Sequence, residues 1–113
     1  MKRQLIPTLA LTVTISLPMT GFAADGAALF AKNCKKCHGD KGHGDTAMGE
    51  RLEIRDYTDP AIQATITDEK IAEVIRDGLT NEDGKKVMLA FGKKLSDDEV
   101  QALVEHFRTL AAE

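Results

Sequence analysis

Cys34, Cys37 and His38 stand together in the run "CKKCHG", and the two cysteines are the only ones in the chain. Two thiols three apart, with a nitrogen ligand directly after the second, can serve three chemistries: a metal site, a redox disulfide, or a covalently tethered haem. A structural zinc site takes four ligands, usually from two paired motifs. Only His43 and His106 remain to complete one, and they lack paired spacing. A thioredoxin-type dithiol sits in a βαβ context, and no such pattern flanks this run. A plain disulfide would close a two-residue loop and stabilise little. Haem attachment uses all three residues. The thiols add to the two vinyl groups on one edge of the porphyrin, and the next residue offers an imidazole to the iron. One rigid macrocycle must meet all three groups, which is why the spacing is fixed. Cys-x-x-Cys-His is an attachment signal for c-type haem.

The amino terminus points the same way. "MKRQ" carries two positive charges, a long uncharged apolar run follows, and "GFAAD" offers small residues. This is the three-part layout of a secretory signal peptide. The expectation is a signal over residues 1–23, cut after Ala23, and a domain over 24–113. A cut after Ala24 is the near alternative, and an uncleaved membrane anchor the other. Pro7 and Pro18 interrupt the run, whose length is marginal for a span. No cysteine lies at the junction, which excludes a lipoprotein anchor. Export places the two cysteines in an oxidising compartment, where bare thiols do not stay free. In bacteria haem is ligated to such thiols outside the cytoplasm, so the expected location is the periplasm, with no membrane span after cleavage.

Composition bounds the rest. The 113 residues suffice for one small domain, and 29% charged with 42% hydrophobic residues argues against disorder. A domain this short often needs a staple, which a large apolar cofactor supplies. Loss of Lys2 and Arg3 with the leader leaves 13 basic against 18 acidic side chains, a net of −5. No nucleic acid is expected as a partner of such a chain.

Four helical segments position the motif. The first runs from about Asp25 to Cys34, with Asp25 as N-cap and with Gly26, Phe30, Cys34 and Cys37 on one face. The second lies in "TDPAIQATI", capped by Asp59 with Pro60 at the first helical position. The third is "TDEKIAEVIRDG", capped by Thr67, stopped by Gly78 and striped by Ile71, Val74 and Ile75. The fourth is "SDDEVQALVEHFRTL", opened by a Ser96–Glu99 capping box and striped by Val100, Leu103, Val104, Phe107 and Leu110. No segment alternates as a strand does. The fold class is all-α, with glycine-rich loops at 39–49 and 78–92.

On "GAALFAKNCKKCHG" and "MLAFGKKLSDDEVQALVEHFRTL", the chain resembles the small bacterial class I c-type cytochromes along nearly its whole mature length. The resemblance implies a cytochrome c-like fold of about four helices around one covalent haem c. It implies His and Met as axial ligands, and electron transfer as the function. Gly26, Phe30 and Phe107 match the family's crossing of first and last helices, which implies that Phe30 and Phe107 touch there. Met88 falls where the family has its ligand methionine. Leu89 replaces the proline common after it, and Phe91 keeps an aromatic. Met48 reads as loop packing at the haem edge, His43 as exposed, and His106 as solvated. The Gly-Pro that commonly offers a carbonyl to the haem histidine reads Gly49-Glu50 here, so a carbonyl near Glu50 is expected in that role.

These readings converge on a soluble periplasmic one-electron carrier. Cys34, Cys37, His38 and Met88 bind its single haem, and His38 and Met88 ligate iron. It is not an enzyme, has no catalytic residues, and works as a monomer with redox partner proteins. The alternatives are a haem c subunit of a larger redox enzyme, and a small-ligand sensor with displaceable Met88. Lys32, Lys35, Lys36 and Lys41 surround the motif, and Lys85, Lys86, Lys93 and Lys94 surround Met88. A positive collar of this kind suits acidic docking patches, or else simply solvates two loops. Lys70 lies away from both loops in the sequence.

Overall fold

The computed structural model describes residues 2–4, 7–16 and 24–112. The expected cleavage junction at Ala23 lies outside the described residues. Residues 7–16 carry no regular secondary structure. Among the described residues, no helix is long and apolar enough to cross a membrane.

From residue 24 onward the chain is mostly helical. Six α-helices follow in order: α1 (Gly26–Asn33), α2 (Lys35–His38), α3 (Ala47–Arg51), α4 (Pro60–Gln63), α5 (Asp68–Asp77) and α6 (Asp97–Thr109). A 3-10 turn over Leu110–Ala112 extends α6, and a short antiparallel ribbon pairs β1 (Leu79–Thr80) with β2 (Lys86–Met88). The caps explain where the main helices start. Asp25 accepts from the Ala28 amide, Asp59 from Ala61, Thr67 from Lys70 and Ser96 from Glu99. Each side chain satisfies an amide that the first helical turn leaves without a partner. The Glu99 carboxylate accepts from the Ser96 amide in return, which completes the expected capping box.

The four expected helices are present as α1, α4, α5 and α6, but they are not the whole architecture. The second is confined to Pro60–Gln63. α2 and α3 occupy stretches read as the motif and its loop, because a helix of one turn has no hydrophobic stripe to reveal it. The ribbon corrects the expectation of no strand. It is too short to alternate, and it is folded by its turn. Asn81 Oδ1 accepts from the amides of Asp83 and Lys85, and the Asn81 carbonyl from Gly84.

The core lies between α1, α5 and α6. Phe30 comes from α1, Ile71 and Ile75 from α5, and Val100, Leu103 and Val104 from α6, all buried. α1 reaches α6 at Gly26. A Cβ there would collide with the Ala102 carbonyl oxygen and stand 2.9 Å from His106 Cβ. Only glycine permits this approach.

The crossing differs from the expectation in which aromatic it engages. Phe30 meets the ring of His106, with centroids 5.1 Å apart, while Phe107 meets Tyr57 at 4.7 Å. Gly26 already faces Ala102 and His106, and Phe30 is one turn further along α1. Phe107 is rotated about 100° from His106 around α6, which turns it toward the other side. His106 is accordingly half-buried rather than solvated.

Replacing Gly26 with Ala forces the two helices apart. Gly26→Ala is expected to destabilise the domain by about 1–3 kcal/mol, the cost of overpacking a tight contact. Chemical denaturation checks it; an unchanged midpoint would show that the crossing tolerates a side chain.

Candidate functional site

Cys34 closes α1 and opens α2. The amides of Cys37 and His38 both donate to the Cys34 carbonyl, at 3.2 and 2.9 Å. The motif is therefore one helical turn, which puts residues 34, 37 and 38 on one face. Gly39 ends the turn at φ 84°, a conformation that favours glycine. Thr46, the N-cap of α3, donates its hydroxyl to the Cys37 carbonyl at 2.6 Å and accepts from the Gly49 amide at 2.8 Å. The motif is thus braced from behind by α3.

In front of it is a cleft of about 630 Å³, counted to its open mouth. Its walls come from α1, α5, β2 and α6, and are mostly aliphatic and aromatic. Within them lie Cys34, His38 and Met88, the wall's thiol, imidazole and thioether. Cys37 shares the helical turn but is not part of the wall. The two thiols are not bonded to each other. Burial, and then the neighbouring Cys37, pushes the Cys34 thiol up to about 11. A thiol-exchange centre has the opposite shift, because the thiolate is its nucleophile. Burial lowers the pKa of His38, and its Nδ1 is buried with no hydrogen-bond partner.

Met88 is positioned from a different part of the chain. It ends β2 and pairs with Leu79 across the ribbon. Gly78, at φ 74°, lets that strand close in: a Cβ there would lie 2.5 Å from the Met88 carbonyl oxygen. Beyond Met88 the amides of Phe91 and Gly92 donate to the carbonyls of Ile75 and Arg76, at 2.9 and 3.0 Å. These bonds strap the segment to the end of α5, using carbonyls that a helix C-terminus leaves free. Leu89 itself is 66% exposed. The rigidity expected from a proline at that position is supplied instead by the ribbon and the strap.

A polar network missed in the sequence holds the back of the cleft. Tyr57 packs between His38, centroids 5.8 Å apart, and Phe107. Gln63 is buried, and its side-chain amide donates to the carbonyls of Tyr57 and Phe107, both at 2.8 Å. Arg108 then binds the Gln63 carbonyl at 2.7 Å, its Oε1 at 2.9 Å, and the carbonyl of Ile66. Its Nε reaches Asp68 Oδ1 at 2.7 Å. One glutamine and one arginine join α4, the start of α5 and the end of α6. Glutamine on a four-residue helix carries no sequence signal of burial. A further polar cluster of this region lies outside: His43 Nδ1 is 3.1 Å from Asp56 Oδ2, and the Thr58 hydroxyl donates to Asp56 Oδ1 at 2.6 Å. Hydrogen bonds from Thr58 and then His43 hold the Asp56 carboxyl down at about 2.

Of the other sequence candidates, Met48 lies on α3, outside the cleft wall, and His43 is exposed as expected. No carbonyl near Glu50 reaches His38. The Gly49 carbonyl accepts from Ile54, and the Glu50 carbonyl from Glu53. The reason is local: 47–51 is helical, so its carbonyls point along the helix and into the turn that ends it. The eight lysines flanking the two motifs are all exposed. Lys70, expected to lie apart from the site, forms part of the cleft wall.

An apolar cleft between helices, a Cys-x-x-Cys-His turn on one wall and a methionine on another define a small c-type cytochrome. The comparisons agree. The family described as "Cytochrome C oxidase, cbb3-type, subunit III" matches residues 21–107, and the chain belongs to it. Among solved structures, the KustC0563 c-type cytochrome is 38% identical, with a TM-score of 0.68 over 76% of this chain and 96% of that one. A point mutant of that protein gives 40% identity and a TM-score of 0.66, over 76% and 98%. The cytochrome c-like fold is therefore established, and with it haem-based electron transfer as the family's chemistry.

The residues present fit haem c. The wall is apolar, the donors are those the group uses, and a buried imidazole nitrogen of His38 has no partner within the protein.

The Gln63 network yields a direct test. Gln63→Ala removes the donor to two carbonyls and leaves Arg108 without its Oε1 acceptor. It is expected to cost about 1–3 kcal/mol, with Leu at the same position no better. Thermal unfolding of the two variants checks this; wild-type stability in either would show the network to be dispensable.

Proposed function

We propose that this protein is an exported, periplasmic one-electron carrier with a single haem c, tethered by Cys34 and Cys37 and ligated by His38 and Met88. The observation that carries the reading is the placement of His38 and Met88, from segments fifty residues apart, in the walls of one apolar cleft. The leader-like amino terminus supports export.

The haem supplies the one-electron couple, and the protein sets its ligands and surroundings. His38 gives a nitrogen ligand from a braced helical turn. Met88 gives a soft sulfur, which favours the ferrous state and raises the potential. Phe30, Ile71, Leu103 and Phe107 line the cleft and would exclude water from a haem held there. Were His38 and Met88 both to hold the iron, the chain would leave no place on it for a substrate, so we assign no catalytic residue. The Lys collar suits redox partners with acidic patches, whose docking salt would weaken.

A second reading follows from the family's description as an oxidase subunit: the chain serves as the haem c subunit of a larger redox enzyme. Elution of the native protein as a free monomer supports the carrier; co-elution with an integral-membrane oxidase supports the subunit.

The ligand assignment is tested by acidic organic extraction and by carbon monoxide binding. Haem is expected to stay with the polypeptide on extraction. The ferrous wild type and Met48→Ala are expected not to bind carbon monoxide, whereas Met88→Ala binds it stoichiometrically. Haem that extracts freely would contradict the tether. Binding by wild type would favour the small-ligand sensor, and binding by Met48→Ala alone would transfer the ligand role to Met48.

A further inference from the structure

We infer that Lys70 binds a propionate of the haem, an inference that rests on the functional reading above. Among the described residues, Lys70 is the only lysine, arginine, aspartate or glutamate in the wall of the cleft. It stands on the first turn of α5 beside Ile66 and Ile71, where the apolar lining continues on either side of it. A haem carries two carboxylates on the edge opposite its vinyl groups. Carboxylates do not enter an apolar wall unpaired, because desolvation of the charge is not recovered there. They have to meet solvent or a cation, and this wall offers one cation.

The present partner of Lys70 does not compete strongly. Its Nζ lies 3.4 Å from Glu73 Oε2, with the two side chains 56% and 58% exposed. Surface pairs of that kind contribute little. Asp68, the other acid on that turn with a contact, is held by Arg108 Nε at 2.7 Å. The ammonium is therefore free to turn to the cleft mouth. Nothing in the sequence distinguishes Lys70 from a solvated residue of an amphipathic helix; only the fold brings it into the wall.

A cation against a propionate offsets negative charge near the iron and favours the ferrous state. The experiment compares Lys70→Gln, Lys70→Arg and Lys85→Gln holoproteins. Lys85 is exposed in the ribbon turn and outside the wall. Lys70→Gln is expected to lower the midpoint potential and to shift a propionate carboxylate band in the redox-difference infrared spectrum. Lys70→Arg is expected to keep both, and Lys85→Gln to leave both unchanged. Equal potentials and equal carboxylate bands in the two Gln variants would overturn the role of Lys70. The denatured absorption spectrum of each sample reads the thioether haem independently. Its absence from wild type would overturn the functional reading and this inference together, whereas its presence with unchanged potentials and bands would overturn this inference alone.

Discussion

Helix α1 can lie against α6 only because residue 26 has no side chain, and the geometry of the site descends from that contact. With Gly26 against the Ala102 carbonyl, Phe30 is carried into the core beside His106. One turn later the chain reaches Cys34, which ends α1 and starts the motif turn. The direction in which Cys34 and His38 face is thus set eight residues earlier. The rings of Phe30 and Tyr57 then flank His38, with Phe107 against Tyr57, and form the near side of the cleft.

The opposite side is built by a different device. Helix α5 contributes Ile71 and Ile75 to the core, and its last carbonyls hold the segment beyond Met88. The same helix therefore packs the domain and suspends the segment that carries Met88. Between the two sides runs the Gln63–Arg108 network, which fastens the loop bearing Tyr57 to the end of α6. Buried polar groups stabilise only when all their partners are present, and here the glutamine's side-chain oxygen and nitrogen are both engaged. The arrangement keeps His38 and Met88 in one cleft although nothing in the protein bonds them to each other.

The motif turn and the principal helices were legible because each is written in local signals. Asp25, Asp59, Thr67 and the Ser96–Glu99 pair cap the helices they were expected to cap, and the stripe of α6 is buried at Val100, Leu103 and Val104. What could not be read depends on rotation or on contacts distant in sequence. Phe107 looked like the partner of Phe30, yet an offset of one residue around α6 gives that place to His106. α2 and α3 are too short for periodicity to mark them, and the helical carbonyls of α3 are not available to His38. The burial of Gln63, the strap onto α5 and the position of Lys70 arise only when segments up to 45 residues apart are brought together. Met88 was legible by its place before the last helix, although the means of holding it, a ribbon rather than a proline, was not.

The central claim is that one iron is shared by donors from the two sides of the cleft. Carbon-13 NMR of the ferrous protein labelled at the methionine methyls tests it most directly, since from residue 24 onward the chain holds only Met48 and Met88. The account predicts two methyl signals: Met88 far upfield in the ring current of a coordinated porphyrin, and Met48 within the ordinary methionine range. Two signals in the ordinary range, or an upfield signal that disappears in Met48→Leu and persists in Met88→Leu, would contradict it.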